Sequence, residues 1–241
     1  MFELVKALYR HGYQAIPNPL QARINDHFPG RPKLSENADM ALLASICPAQ
    51  AIDEHALDIG KCSFCGACQR RYPEMISFLP DFRLGASNRQ DLLLRPGQEY
   101  QSRIEPVNPA LLKRSLALRN VSAGGCNACE LELGASSNVN FDMGRYGIEI
   151  VASPRHADGL ILTGPITRNM ADALFDTWEA IPQPKYLVLC GSCAISGGIF
   201  ANSSQLDRSF LKHNPAHLFI PGCPAHPLSI IHALTGMMGV K

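Results

Sequence analysis

Cysteine is the residue of this chain that could do chemistry. Nine cysteines occur in 241 residues, and eight of them fall into two groups. The first group is Cys47-Pro48 followed by Cys62-x-x-Cys65-x-x-Cys68. Thiolates are soft metal ligands. Three at three-residue intervals plus a remote Cys-Pro suit a cubane 4Fe–4S cluster, with the tight run supplying three corners and the remote residue the fourth. Gly66, inside the run, lets the main chain turn closely around an inorganic core. Zinc is the alternative occupant, but it usually takes paired C-x-x-C motifs, which a triple run with a distant Cys-Pro does not form.

The second group is Cys126 and Cys129 in GGCNACELE, Cys193 in CGSCAISGG and Cys223 in IPGCPAHP. Each loop follows an apolar run that reads as a strand. Loops at the carboxyl ends of parallel strands converge on one crevice. Three such loops would gather four thiols for a second 4Fe–4S cluster. Gly124, Gly125, Gly191, Gly197, Gly198 and Gly222 permit close packing and aim N–H groups at sulfur, which tunes reduction potential. Cys190 is left over at the end of a buried strand, where a free cysteine acts as a small apolar side chain. The spacing also permits a zinc site of Cys126, Cys129, Cys190 and Cys193, since these form two C-x-x-C pairs.

The elements that hold the thiols follow from hydrophobic periodicity. Residues 1–12 read as an amphipathic helix with Phe2, Val5, Leu8 and Tyr9 on one face. It would pack on its own core or dock on a protein or membrane surface. Prolines 17, 19, 29 and 32 make residues 13–35 irregular, and Pro80, Pro96, Pro106 and Pro109 mark a linker or wrapping arm. Beyond it, strands are expected at Leu116–Val121, Gly147–Val151, Gly159–Thr163, Lys185–Cys190 and His217–Ile220, with helices at Met170–Ile181 and Leu228–Met238. Short strands alternating with helices predict an α/β fold with a mostly parallel sheet covered on both faces.

Composition excludes several classes. Lys+Arg 22 against Asp+Glu 21 leaves a net charge of +1, which argues against a nucleic-acid stripe or a polybasic lipid anchor. Charged residues are 18%, below the usual quarter, in keeping with surface covered by other protein. No apolar run is long enough to span a bilayer. Met1 to Lys6 is not a secretory n-region, and Arg70-Arg71 lies too deep for a twin-arginine signal. The expected compartment is the cytoplasm, where thiols stay reduced.

The first thiol group resembles a two-cluster ferredoxin, whose runs read C-x2-C-x2-C-x3-C-P. Counting back from Cys47, the other positions of one run are Asn37, Met40 and Leu43; counting on from Cys68, the last position of the other is Tyr72, before Pro73. All four ligands of one cluster are absent together while Cys47, Cys62, Cys65 and Cys68 remain. Residues 116–241 are similar to the small subunit of membrane-bound nickel–iron hydrogenases of the formate hydrogenlyase type, itself homologous to the B subunit of respiratory complex I. GGCNACELE, RYGIEIVASPRHADGLILTGPIT, GSCAISGGIF and PGCP carry the resemblance. It implies a flavodoxin-like doubly wound domain with a proximal 4Fe–4S cluster on Cys126, Cys129, Cys193 and Cys223. Residues 1–80 resemble the ferredoxin-like subunit of the same complexes, so the chain looks like a fusion of two neighbouring subunits. PGCPAHP departs from the family's usual PGCPP.

The implied division is an amphipathic helix and arm (1–35), a single-cluster ferredoxin-like α+β domain (36–80), a linker (81–113) and the cluster domain (114–241). The implied role is a non-catalytic electron-transfer subunit with two 4Fe–4S clusters. Its partners would be a hydrogenase-type large subunit and other iron–sulfur and membrane subunits, with no nucleic acid. It would sit at the inner face of the cell membrane through those partners. Cys126-Asn127-Ala128-Cys129 favours the hydrogenase branch, because complex I B subunits typically carry adjacent cysteines there. A complex I-like quinone oxidoreductase subunit and a non-redox scaffold with structural zinc are the alternatives. Arg155-His156-Ala157-Asp158 would face the large subunit or a quinone region, or simply brace its loop by an Arg–Asp contact. Glu132 reads as a proton-path carboxylate or a first-turn acid on a helix dipole. His226 and His232 read as surface or core residues. No nucleophile–base set or phosphate loop stands out.

Overall fold

The computed structural model describes residues 2–12 and 15–240. Helix α1 (Phe2–His11) is amphipathic, yet all ten of its residues are exposed, Phe2 and Tyr9 to more than four-fifths. Packing on the chain's own core is therefore corrected: among the described residues, the apolar face of α1 meets no core. Met1, Tyr13 and Gln14 lie outside the described residues. The stretch that follows is tied down further on, where the Arg145 guanidinium donates to the carbonyls of Ile16 and Pro17.

A small antiparallel region comes next. Strand β1 (Arg31–Leu34) leads into α2 (Met40–Ser45), β2 (Leu57–Asp58), α3 (Ala67–Arg71) and β3 (Ile76–Leu79), and β3 returns to pair with β1. Asp39 starts α2 by accepting from the Leu42 N–H at 2.9 Å. Strand β4 (Leu93–Leu94) pairs with β2. The stretch between β3 and the last domain buries Phe82, Leu84, Ala86, Leu92, Leu94 and Tyr100. The Tyr100 hydroxyl donates to the Leu84 carbonyl at 2.6 Å, and Ala86 exchanges main-chain hydrogen bonds with Phe219. The turn α4 (Pro109–Leu112) ends it.

The rest is an α/β unit: β5 (Leu116–Ser122), α5 (Ala128–Ser136), β6 (Ile148–Ile150), β7 (Gly159–Thr163), α6 (Arg168–Glu179), β8 (Tyr186–Cys190), α7 (Ser192–Ser196), α8 (Ser209–His213), β9 (Leu218–Ile220) and α9 (Pro227–Met238). The five strands are all parallel in the order β6-β5-β7-β8-β9. The order reverses between β5 and β7, which is where open α/β sheets form a crevice at their carboxyl ends. All five expected strands and both expected helices are present, with ends moved by at most two residues.

Successive strand side chains point to opposite faces, and this divides the interior. Ile161, Val188, Cys190, Leu218 and Ile220 join Leu133 of α5 and the apolar length of α9 in one core. Leu160, Leu162, Leu187, Leu189 and Phe219 join α6, Phe210 and, without a break, Leu43, Ile59, Cys62, Ile76 and Leu92 of the first region. The cysteine-rich amino-terminal part thus shares a core with the second face of the sheet. No helix among the described residues is long and apolar enough to cross a membrane.

Candidate iron–sulfur centres

In the first region the chain bends around sulfur. Cys47 follows α2 and its sulfur accepts from the Ala51 N–H at 3.3 Å; the Cys62 sulfur accepts from the Phe64 N–H at the same distance. Phe64 and Gly66 take positive φ, of 53° and 68°, and this winding brings Cys65 and then Cys68, in the first turn of α3, back past Cys62. Arg70 ties the Cys65 carbonyl at 2.9 Å. Cys62 and Cys68 are buried, Cys47 is half-buried and Cys65 is exposed. Burial pushes the Cys62 thiol up to about 12, and the neighbouring Cys47, Cys68 and Cys65 push in the same direction, against the Phe64 N–H. These four thiols therefore sit within reach of one another's charge. Where a second ferredoxin cluster would lie, Met40 and Leu43 are buried in the core and Tyr72 packs against it.

The second group lies at the carboxyl edge of the sheet. Cys126 follows β5, Cys129 opens α5, Cys193 lies in α7 just after β8, and Cys223 follows β9. Cys126 and Cys223 are exposed, Cys129 and Cys193 half-buried. Burial pushes Cys129 up to about 12, opposed by an Ala225 N–H and reinforced by Glu130, Cys193 and Cys223. Cys193 is pushed to about 11 by burial, then by Cys223 and Cys126. Two glycines make room: a Cβ at Gly191 would stand 2.5 Å from the Cys129 sulfur, and one at Gly198 would stand 2.9 Å from the Cys193 sulfur.

Both sets fit a 4Fe–4S cluster by donor chemistry. Each offers four thiols; the first adds main-chain N–H groups on Cys47 and Cys62, and the second adds the Ala225 N–H on Cys129 and close backbone approach at Gly191 and Gly198. A single zinc needs four sulfurs converging on one point at about 2.3 Å. Among the described residues no group of three or more His, Cys, Asp and Glu stands close enough to hold a metal ion without some movement of the side chains. Cys190 is fully buried among the residues of the α5/α9 core, and burial holds its thiol well above the ordinary range.

The two sets adjoin. The buried Ser192 hydroxyl donates to the Cys62 carbonyl at 2.7 Å and approaches the Gly222 carbonyl at 3.1 Å, while the Ser192 N–H donates to Gly222 at 2.8 Å. Burial raises the Cys223 thiol, and its charged neighbours are Cys126 and Cys65, one from each set.

Other expected residues fall elsewhere. Asp158 accepts from the Ala117 N–H at 2.7 Å and forms no ion pair with Arg155, so an Arg–Asp brace is corrected. Ala117 lies about 16 Å along β5 from its carboxyl end, at roughly 3.3 Å per residue, so this segment is not beside the crevice. The first-turn acid of α5 is Glu130, which accepts from the Thr163 hydroxyl at 2.6 Å; Glu132 stands two residues further on, with its carboxyl raised by burial. His226 caps α9 by accepting from the Leu228 N–H. Two residues that the cysteine pattern did not single out matter here. Ser192 was signalled only by its place between Gly191 and Cys193. Arg208, whose guanidinium reaches the carbonyls of the Cys193 turn, carries no local signal.

Residues 126–237 match the family described as NADH ubiquinone oxidoreductase, 20 Kd subunit. The chain is 39% identical over 129 residues to formate hydrogenlyase subunit 7 of Escherichia coli, covering 54% of this chain and 51% of that one. It is 35% identical over 121 residues to the "Probable membrane-bound hydrogenase subunit mbhJ" of Pyrococcus furiosus, covering 50% of this chain and 72% of that one. The chain belongs to the 20 kDa subunit family. An NAD(P)H-quinone oxidoreductase subunit K of Synechococcus elongatus is a further relative, 41% identical over 111 residues, covering 46% of this chain and 47% of that one. The chain spans about half the length of the formate hydrogenlyase subunit that it matches. Within this 20 kDa subunit family member, Cys126, Cys129, Cys193 and Cys223 lie inside the matched residues, and the first thiol set lies before them.

Proposed function

We propose that this chain is an electron-transfer subunit of a membrane-associated hydrogenase complex of the formate hydrogenlyase kind, with no catalytic centre of its own. Cys47, Cys62, Cys65 and Cys68 hold one 4Fe–4S cluster, and Cys126, Cys129, Cys193 and Cys223 hold the other. When bound, the clusters supply one-electron redox chemistry and relay electrons from one to the next. The chain's own residues position, insulate and tune them. The small antiparallel region is read as a ferredoxin-like module that has kept one of two clusters, fused to a flavodoxin-like small subunit. Packing of Met40 and Leu43 into the core supports the loss of the other cluster. Residues 1–35, 36–80, 81–113 and 114–241 are the corresponding parts. The observation that carries the reading is the Ser192–Cys62 hydrogen bond, which joins a loop of each thiol set.

The partners are a hydrogenase-type large subunit and the other iron–sulfur and membrane subunits, at the cytoplasmic face of the membrane. The exposed Cys126 and Cys223, with exposed Leu131 on α5 and exposed Ile199 and Phe200 in the turn after α7, suit a face that another subunit covers. The uncovered apolar arc of α1 suits a second contact. A quinone-reducing, complex I-like module is the alternative that the subunit K relative supports. The reconstituted chain should bind about eight irons, two cubanes' worth. A count near four, with zinc in the rest, would reject the second centre. Assaying the purified complex for hydrogen evolution against quinone reduction separates the two oxidoreductase readings.

A further inference from the structure

Arg208 precedes α8 and turns back beneath α7. Its guanidinium donates four hydrogen bonds, all to carbonyls: to Pro165 at 3.0 Å, Cys193 at 3.1 Å, Ala194 at 2.8 Å and Ile195 at 3.0 Å. Among the described residues no carboxylate pairs with it. The adjacent Asp207 spends its carboxylate on the Ser209 N–H. Arg89, the other cation that acts on it, is neutralised by Asp58. A part-buried guanidinium answered only by carbonyl dipoles is short of negative charge. Among the described residues, the anion-forming group whose charge acts on it is the Cys193 thiol.

We propose that Arg208 is a positioning and tuning residue of the second centre: it closes the Cys193 turn and, by its charge, raises that centre's reduction potential. This rests on reading Cys193 as a ligand of a 4Fe–4S cluster. Such a cluster with four thiolates is already anionic, and uptake of one electron from an external reductant adds one further negative charge. A fixed cation in a low-dielectric setting stabilises the reduced form more than the oxidised form. The carbonyls of Cys193, Ala194 and Ile195, turned toward the guanidinium, also fix the turn that presents the sulfur.

The test uses the full chain reconstituted with iron and sulfide, as wild type, Arg208→Gln and Arg208→Lys. Each is titrated with dithionite under electron paramagnetic resonance, with iron counted on the same samples. A Cys126→Ala chain, holding the first centre alone, assigns the signals. Arg208→Gln should shift the second potential downward and leave the first unchanged. Arg208→Lys, which keeps the charge and loses the fork, should stay nearer the wild type. Wild-type potentials at both centres of Arg208→Gln would overturn the proposal. If Arg208→Gln retains only the first centre, Arg208→Lys decides: a second centre near the wild-type potential upholds the role of charge, and loss of that centre there too overturns it. A wild-type chain with about four irons would instead remove the underlying reading, on a different readout.

Discussion

The hydroxyl of Ser192 donates a buried 2.7 Å hydrogen bond to the main-chain carbonyl of Cys62, 130 residues earlier in the chain. Ser192 also meets Gly222 through both its hydroxyl and its N–H. One small side chain thus ties the loops of Cys62, Cys193 and Cys223 together.

Replacing it tests that tie. Ser192→Ala leaves the Cys62 carbonyl buried without its donor, at a cost of about 1–3 kcal/mol. Urea unfolding of the metal-free chain should show the midpoint fall with an unchanged slope. An unaltered midpoint would mean that the bond holds nothing together.

Cysteine substitutions should divide into two classes by iron count. Cys62→Ala and Cys126→Ala should each take the reconstituted chain from about eight irons to about four. Cys190→Ala should keep all of them and lose about 1 kcal/mol of stability, since the thiol fills a packed core. Metal lost with Cys190 would revive the zinc quartet of Cys126, Cys129, Cys190 and Cys193.

Gly191→Ala meets two obstacles, a φ of 91° and a new Cβ 2.5 Å from the Cys129 sulfur. The second centre should fail to load while the first does. Retention of both, read from iron content and the reduced spectrum, would show that Cys129 does not need this approach.

Acid should destabilise the metal-free chain through its histidines. Burial lowers the imidazoles of His217 and His232 below the ordinary 6.5. The unfolded chain then binds more protons than the native one once pH drops below that value, so stability present at neutral pH is lost as pH falls toward the lowered native values. Urea midpoints measured from pH 7.5 to 5 should fall, and His232→Phe should flatten part of the slope. A slope unaltered by that substitution would show that His232 is not held neutral.

Much of the architecture could be read from local pattern. Runs such as KYLVLC and GLILT are apolar on both faces, as a strand covered by two layers must be, and they appear as β8 and β7. The thiols were legible as two groups because ligand spacing is a local property of the chain. The place of Arg155–Asp158 was not, since a loop that follows one strand returns to the far end of the next. Nor was the isolation of α1, because an amphipathic helix carries the same pattern whether it packs on its own chain or on nothing within it.

Residue order alone thus settled the five strands of the parallel sheet, though not β1 to β4, and that Cys126, Cys129, Cys193 and Cys223 follow strand ends, because periodicity and turn chemistry act over a few residues. Only packing decided that Cys62 lies against Ser192, that Cys65 stands near Cys223, that Cys190 faces away into the α5/α9 core, and that Arg208 reaches the Cys193 turn. Those contacts join residues far apart in the chain, and they exist because the amino-terminal region and one sheet face bury their apolar side chains in a common interior.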